Sequence, residues 1–328
     1  AVESLVMWAG ANRVGIHAMQ IGSISALIEY AMLIMFFMMM AQFAMLEIPR
    51  ALACLERSAA VLDQKPTIAD GSSKTVSFGQ TDEVARFDHA SLRFDDADED
   101  TLQDLCFSLR RGQTTAIIGN TGSGKSTIAK MLLRFSDVTG GRLTFGDADI
   151  RDLPQVELRS HIAYVPQKAW LFSGTIAENL RFGDEHADDT RLWHAIDVAQ
   201  GAFVRELKDG LDTPVAQGGT NFSGGQRQRL AIARALTRHA DLYIFDDSFS
   251  ALDYKTDAAL RHALKDELAH AAVLIVAQRV STIRNADQII VLSDGCIVGL
   301  GTHDELMRTC QTYKDISDSQ TRGGEQNV

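Results

Sequence analysis

One segment, Gly119-Asn-Thr-Gly-Ser-Gly-Lys-Ser-Thr127, limits the possible folds of this chain more than any other feature. It has the spacing G-x-x-x-x-G-K-[ST] and joins a short β-branched run, Thr114 to Ile118, to an apolar run at helical spacing, Ile128 to Phe135. The pattern predicts a phosphate-binding loop at a strand-to-helix turn. A glycine-rich turn without a ligand is the alternative, and the flanking strand and helix disfavour it.

The residues of this loop have separate predicted tasks. Its glycines let the backbone curl until successive N–H groups point inwards, and the helix that follows adds its positive end. Lys125 is expected to reach the β- and γ-phosphates of a nucleotide, and Ser126 to bind Mg²⁺. The predicted nucleotide-binding residues are Gly119, Asn120, Thr121, Gly122, Ser123, Gly124, Lys125, Ser126 and Thr127.

A second feature is the apolar stretch from Ile24 to Ile48, in which Ala, Leu, Ile, Met and Phe dominate. Its most apolar part, Tyr30 to Leu46, is just short of the roughly 20 residues of a membrane span and reaches that length when Ala26 to Ile28 are included. The stretch is apolar all round rather than along one stripe. A transmembrane helix is therefore favoured over an apolar core or interfacial helix. Arg50 and Arg57 follow the stretch closely, which places its C-terminal end in the cytoplasm.

These two features divide the chain. Residues 1–63 are expected to be the C-terminal part of a transmembrane domain, with a preceding helix end, a turn over Asn12 to Ser23, the span, and a helical extension from Pro49 to Asp63. Residues 64–82, which contain Pro and Gly-Ser-Ser, are predicted to be a linker. Residues 83–315 alternate strand and helix patterns and predict an α/β domain. Residues 316–328 are a polar tail, and the segment from Ser317 to Val328 is predicted to be disordered.

Composition excludes some function classes. The net charge of −11 and the absence of a Lys/Arg cluster argue against a nucleic-acid-binding surface. Cys54, Cys106, Cys296 and Cys310 show no C-x-x-C spacing, so neither a zinc site nor a disulfide framework is indicated. Reduced thiols in a cytoplasmic domain are the simplest interpretation.

Two further segments of the α/β domain carry chemistry. Asp241 to Asp246 is predicted to be a second buried strand, and its terminal carboxylate, Asp246, is expected to help hold Mg²⁺ beside the phosphate-binding loop. Ser223 opens a helix after a Gly-containing loop, which makes a second anion-binding helix end. Two such ends far apart in sequence favour a composite site.

Together these motifs resemble an ATP-binding cassette (ABC) exporter, in which transmembrane helices are fused to a P-loop NTPase domain. The matching segments are Gly119 to Thr127 (Walker A), Gln167 (Q-loop), Phe222 to Gln226 (signature), Leu242 to Asp246 (Walker B) and Ser250 to Asp253 (D-loop). The resemblance implies a head-to-tail dimer of ATP-binding domains.

In such a dimer each ATP lies between the Walker loops of one chain and the signature of the other. Ser223, Gly224, Gly225 and Gln226 would then contact ATP bound to the partner, whereas Gln167 would sense the γ-phosphate and Mg²⁺. Phe94 lies where the family places an aromatic residue that stacks on adenine, although with Leu92 it could instead form a core pair.

Two departures from the family pattern bear on catalysis. Asp247 stands where the family has a Glu that activates water, and Gln278 stands where it has a His that contacts the γ-phosphate. Asp is one methylene shorter, and a Gln amide carries no charge and relays no proton. The signature's usual Leu is Phe222. We therefore expect this chain's own site to bind ATP and hydrolyse it slowly, as in one half of a heterodimer. The alternative is a homodimer in which Asp247 suffices.

The resemblance implies ATP and Mg²⁺ as cofactors, a second half-transporter and membrane lipid as partners, and a multi-pass protein of the cell membrane. Because the family's exporters have six helices ahead of the ATP-binding domain, we expect the chain to be a fragment with an unidentified exported substrate. A soluble cassette ATPase and a regulatory module that binds ATP without hydrolysing it remain alternatives.

Overall fold

A computed structural model describes residues 2–16, 20–71, 75–79 and 81–325. The chain divides into two compact units, Ala1–Thr67 and Ile68–Val328.

The first unit consists of the helices α1 (Val2–Gly15) and α2 (Ile21–Leu62). Helix α2 is 42 residues long and continues through Pro49, as the sequence predicts for the span and its extension. Within the described residues it is the helix that is long and apolar enough to cross a membrane, judged by length and composition only, and its apolar side chains are exposed in the structure.

The turn between these helices is shorter than the predicted Asn12 to Ser23. Helix α1 continues to Gly15 and α2 begins at Ile21, whereas residues 17–19 lie outside the described part of the chain. Gly15 and Gly22 suggested the longer turn. A glycine costs a helix only about 1 kcal/mol relative to alanine, so it does not end a helix by itself.

The second unit alternates strands and helices. Its first half contains β1 (Glu83–Leu92), β2 (Leu102–Arg110), β3 (Thr114–Gly119), α3 (Lys125–Leu132), β4 (Gly140–Phe145), β5 (Ala148–Asp149), α4 (Gln155–Ser160), β6 (Ile162–Val165), β7 (Gly174–Thr175), α5 (Ile176–Arg181) and α6 (Asp189–Val198). Its second half contains α7 (Phe203–Glu206), β8 (Pro214–Val215), α8 (Gly224–Thr237), β9 (Leu242–Asp246), α9 (Tyr254–Glu267), β10 (Ala272–Val276), α10 (Val280–Ile283), β11 (Gln288–Ser293), β12 (Cys296–Gly301), α11 (His303–Thr309) and α12 (Gln311–Glu325).

Three sheets occur in the described residues. The largest has the order β12-β11-β3-β10-β9-β6 and is parallel except for the edge strand β12. A second, antiparallel sheet has the order β2-β1-β4-β5, and β7 pairs with β8. The predicted α/β P-loop fold is confirmed.

Both faces of the parallel sheet are buried. Along β3, Ala116 and Ile118 pack into one apolar cluster with α5, α6 and α8, whereas Ile117 packs into the other with α3 and the antiparallel sheet. This alternation follows from the two-residue period of a strand, and burial on both faces explains why β3 and β9 are continuous apolar runs. The carboxyl ends of β3 and β9 lie on the same edge, with β10 between them.

Part of the predicted linker packs on the second unit. We call residues 68–71 and 75–79 the strap. The buried guanidinium of Arg134 donates hydrogen bonds to the carbonyl oxygens of Ala69 (2.8 Å) and Leu153 (2.6 Å). The ring of Phe78 meets that of Phe145 edge-on, 5.8 Å between centroids, and the Arg111 guanidinium lies 4.5 Å from its centroid. A polar, Gly-containing sequence concealed these contacts, because their partners lie far along the chain.

The C-terminal prediction also needs correction. Residues 316–325 belong to α12 and are not disordered, although residues 326–328 lie outside the described part of the chain. The segment is polar, yet Ile316 packs against the core and Tyr313 is fully buried. One apolar stripe thus holds a helix whose mean composition indicates a solvated tail.

Candidate nucleotide-binding site

The loop between β3 and α3 has the backbone that a phosphate-binding loop needs. Gly122 and Gly124 adopt φ angles of +86° and +97°, in the left-handed region that favours glycine. A Cβ on Gly119 would lie 2.0 Å from the carbonyl oxygen of Leu292 on β11, so only glycine fits this close approach. Gly124 precedes α3 without a side-chain cap, which leaves the first N–H groups of the helix open to an anion.

Lys125 lies half-buried at the start of α3. Its Nζ donates hydrogen bonds to the carbonyl oxygens of Gly119 (2.8 Å) and Asn120 (2.7 Å), and across the described residues it forms no ion pair. Burial lowers the pKa of Lys125, although the carboxylates of Asp247 and Asp246 oppose the shift. A desolvated cation without a carboxylate partner is stabilised by an anion, as a bound phosphate would be.

Ser123 gives a second sign that a ligand belongs in the loop. Its hydroxyl is buried and has no hydrogen-bond partner within the described residues. A buried hydroxyl without a partner is costly, and a phosphate oxygen would accept a hydrogen bond from it. Thr121 and Asn120 are exposed beside it, and the Thr127 N–H donates to the carbonyl oxygen of Gly124 at 3.0 Å. The loop therefore fits the triphosphate of a nucleotide.

Ser126 and Asp246 come together from two elements. The Ser126 hydroxyl donates to Asp246 Oδ1 at 2.9 Å, which joins the first turn of α3 to the end of β9. The Tyr164 hydroxyl on β6 donates to Asp246 Oδ2 at 3.2 Å, and burial raises the pKa of Tyr164, so this phenol stays a neutral donor. Hydroxyl and carboxylate oxygens are the donors that Mg²⁺ prefers, so this pair fits the predicted metal site.

Tyr164 is a site residue that sequence reasoning missed. It lies three positions before Gln167, on a strand that pairs with β9 beside Ile244. The available signal was a polar aromatic residue inside an apolar strand next to the predicted Q-loop. That signal does not reveal which neighbouring strand the hydroxyl faces.

Asp247 holds the centre of the site. Its Oδ2 accepts hydrogen bonds from Gln167 Nε2 (2.9 Å) and Gln278 Nε2 (2.8 Å). Burial raises the pKa of Asp247, the Gln167 amide opposes the shift, and the negative charge of Asp246 adds to it. The backbone of Asp247 has φ +48°, a left-handed conformation that Asp tolerates better than most residues.

The structure thus gathers the predicted catalytic residues. Gln167, Asp247 and Gln278 come from three segments that follow β6, β9 and β10, and they meet because these parallel strands end on one edge. Gln167 was also predicted to be a metal ligand. Its amide nitrogen faces Asp247, and its carbonyl oxygen remains the atom that would face a metal ion.

The signature segment forms a helix start. The Gln226 N–H donates to Ser223 Oγ (3.2 Å), and the Ser223 N–H donates to Gln226 Oε1 (2.9 Å), which makes a capping box at the start of α8. Ser223 and Gly224 are exposed, and Gly225 is half-buried. No hydrogen bond joins this segment to the Walker loop in the part of the chain that the structure describes.

The two aromatic residues of these motifs differ in burial. Phe94 is 41% exposed whereas Leu92 is buried, so they do not form a core pair. Stacking on adenine stays a prediction for Phe94. Phe222 is buried and lies edge-on to Phe203 at 6.2 Å between ring centroids. The substitution of Leu by Phe in the signature is therefore accommodated in the core.

Comparison with known proteins identifies the family. Residues 102–250 match the family model described as "ABC transporter". The chain contains an ABC transporter domain. This match contains the Walker A loop, the signature and Walker B, so the sequence motifs and the family model agree.

Relatives of this chain extend the match into its N-terminal unit. An uncharacterized ABC transporter ATP-binding protein of Mycobacterium tuberculosis is 42% identical over 320 residues, covering 96% of this chain and 55% of the relative. The ATP-dependent lipid A-core flippase of Vibrio vulnificus is 36% identical over 274 residues, covering 81% of this chain and 46% of the relative.

A solved structure of a bacterial Atm1-family ABC exporter with ATP bound is 32% identical and superposes with a TM-score of 0.77. The superposition covers 83% of this chain and 48% of the other. The chain thus spans about half the length of the curated relatives it matches.

Proposed function

We propose that this chain is the ATP-binding and ATP-hydrolysing part of an ABC exporter in the cell membrane, with its ATP-binding domain in the cytoplasm. The main support is the assembly of Lys125, Ser126 and Asp246 at the carboxyl edge of the parallel sheet. Beside them lies the buried hydroxyl of Ser123, which has no hydrogen-bond partner among the described residues. The long apolar helix α2 and the similarity to exporters favour this proposal over a soluble cassette ATPase.

The residues of the site divide the work. The glycine loop, Lys125 and Ser123 bind the phosphates of ATP, and Ser126 and Asp246 would hold Mg²⁺, which supplies charge neutralisation at the phosphates. Asp247 is the carboxylate that accepts a proton from water. Gln167 and Gln278 orient it, since both amides donate to the same oxygen.

The same geometry supports slow hydrolysis at this chain's own site. Two hydrogen bonds occupy Oδ2 of Asp247, and its side chain is one methylene shorter than that of Glu. Gln278 supplies an amide where a His could relay a proton. We infer that the chain pairs with a different ABC half-transporter, and that its exposed Ser223 and Gly224 complete a competent site on that partner.

One observation favours a homodimer as the second candidate. Burial raises the pKa of Asp247, and a carboxylate with a raised pKa is a stronger base. Asp247 would then suffice to activate water in each of two identical sites. A module that binds ATP without hydrolysing it is the limiting case of the first proposal.

ATP binding and steady-state ATP turnover of the full chain in detergent test this proposal. Lys125→Ala should abolish ATP binding, whereas the matched control Lys130→Ala, exposed on the same helix, should not. If wild type and Lys125→Ala bound ATP equally, the assigned site would be wrong.

Co-expression with candidate partner half-transporters separates the two dimers. Two results together would support the heterodimer. The chain alone should bind ATP without turnover, and adding a partner should give turnover that is lost when this chain carries Ser223→Arg. Brisk turnover by the chain alone, lost in Lys125→Ala, would instead support the homodimer. Neither ATP binding nor ATP turnover identifies the exported substrate. The similarity to a lipid A-core flippase makes an amphipathic lipid the first candidate to test.

A further inference from the structure

We infer that Gln320, near the end of α12, is a positioning residue for the nucleotide site, and this inference rests on the proposed function. Gln320 lies 42 residues beyond Gln278, in the segment whose composition indicates a tail. Its side chain holds the backbone of the loop that carries Gln278 and so sets where the Gln278 amide points.

A single amide group bridges this loop. Gln320 Nε2 donates a hydrogen bond to the carbonyl oxygen of Gln278 at 2.7 Å, and Gln320 Oε1 accepts one from the N–H of Val280 at 2.8 Å. The donor and the acceptor of one side chain therefore engage the backbone on both sides of Arg279. In a parallel sheet, the backbone of a neighbouring strand donates to one residue and accepts from the residue two positions further on. The Gln320 amide makes the same pair of hydrogen bonds to this loop.

The loop needs this partner. Val280 is the first residue of α10, which has only four residues, and Arg279 before it gives no side-chain cap. The first N–H groups of a helix have no partner within the helix, and one turn is too short to be stable alone. Gln320 supplies the cap from a helix distant in sequence.

Helix α12 can hold Gln320 in place because it is itself anchored. Tyr313 is fully buried, its hydroxyl lies 2.9 Å from Nδ1 of His303 on α11, and Ile316 packs against the core. Gln320 follows Ile316 by one helical turn, so the two side chains lie on the same face of α12. The amide is thus presented from a rigid element.

The bridge continues into the site. Gln278 is exposed, and its long side chain loses rotamer entropy when its Nε2 donates to Asp247 Oδ2 at 2.8 Å. Because Gln320 fixes the backbone at Gln278 and Val280, the Gln278 side chain loses less entropy when it forms this hydrogen bond. Gln320 therefore acts through Gln278, the residue at the position expected to meet the γ-phosphate, and should affect ATP binding more than ADP binding.

Equilibrium binding of ATP and ADP to the full chain tests the inference. Gln320→Ala should lower the ATP-to-ADP affinity ratio by about three- to tenfold, the effect of one or two hydrogen bonds. Gln311→Ala is the matched control, because Gln311 lies on the same helix and its side chain donates to the exposed Asp315. The ATP-to-ADP affinity ratio of Gln311→Ala should match that of wild type.

A double-mutant cycle distinguishes positioning from general loosening. In the Gln278→Ala background, Gln320→Ala should change the ratio by less than about twofold, because the side chain that it positions is absent. An effect of the same size in both backgrounds, or no effect in wild type, would overturn the inference and leave the proposed function standing. If the wild-type chain bound no ATP, both would be wrong.

Hydrogen exchange gives a readout that needs no nucleotide. The amide of Val280 should exchange faster in Gln320→Ala than in wild type or Gln311→Ala. Equal protection in all three proteins would show that the bridge does not hold the loop in solution and would overturn the inference.

Discussion

At Asp247, one carboxylate oxygen accepts both amide hydrogen bonds that the site offers. The left-handed backbone at this position, φ +48°, suits Asp better than a longer side chain. Asp at this position thus tolerates the left-handed backbone, but its carboxylate extends one methylene less far than that of Glu. Its chemistry can be tested separately from its effect on stability.

The double substitution Asp247→Glu with Gln278→His should raise ATP turnover of the full chain at saturating ATP. It restores a longer carboxylate and a group that can relay a proton, and a shift of about 1 Å in a reacting group is worth on the order of 10²-fold in rate. Asp266→Glu, on the exposed face of α9, is the control. No gain in kcat would show that another step or residue limits hydrolysis.

Asp247→Asn should make the chain more stable at pH 7. Burial raises the pKa of Asp247 above its ordinary 3.8, so the folded state binds a proton more tightly than the unfolded state does. The free energy of unfolding therefore falls as pH rises from 3.8 through the raised pKa, and the loss is complete above it. Asn carries no charge, so its advantage should shrink as pH falls towards 3.8.

Urea unfolding of wild type and Asp247→Asn across this pH range gives the measurement, with Asp266→Asn as the exposed control. Asn keeps an oxygen that can accept from Gln167 and Gln278, so the comparison isolates the buried charge. A variant that is less stable than wild type at pH 7 would contradict the sign of the argument.

At the scale of elements, the strap belongs to the ATP-binding unit. Arg134 is buried with φ +52°, and besides its bonds to the strap and to Leu153 it forms an ion pair with Asp137 at 2.9 Å. Its guanidinium thus donates to carbonyl groups from two segments, of which Leu153 is buried and Ala69, in the strap, is exposed. Shortening the chain to begin at Glu83 would remove one of them.

Arg134→Leu should lower the free energy of unfolding by about 1–3 kcal/mol, because the buried carbonyl oxygen of Leu153 loses its donor and the strap loses its bond at Ala69. It should also make residues 64–82 more sensitive to limited proteolysis. Arg86→Leu, at an exposed position of β1, is the matched control. Equal urea midpoints for the two variants would mean that the strap contributes little to stability.

Elements differ in how far sequence predicts them. The strands β3 and β9 and the helix start at Ser223 follow from local signals, namely apolar runs and a capping residue. The strap and α12 do not, because their stability comes from a few contacts with distant residues. Both segments are mostly polar in composition. The few apolar side chains that anchor them are too few to change that composition, so it does not reveal them.

At the scale of the whole molecule, the two units differ in how much apolar side-chain surface they expose. Helix α2 carries exposed apolar side chains along most of its length, whereas the second unit encloses both of its apolar clusters. The full chain should therefore float with phospholipid vesicles in a density gradient, and a chain that begins at Ile68 should stay in the aqueous fraction.

Circular dichroism of the shorter chain provides the control that its fold is intact. Recovery of the full chain in the aqueous fraction without detergent would contradict the membrane assignment. It would favour a cassette ATPase that is not embedded in a membrane.

Sequence alone determined the family, the phosphate-binding loop and the order of strand and helix in the ATP-binding domain. Those features depend on residues close together in the chain, where spacing and glycine geometry act directly. Tertiary structure decided that Tyr164 and Asp247 meet at one edge of the sheet and that Gln320 contacts the loop after β10. Each of these side chains meets partners at least 31 residues away, and such contacts depend on strand order and helix docking rather than on any local pattern.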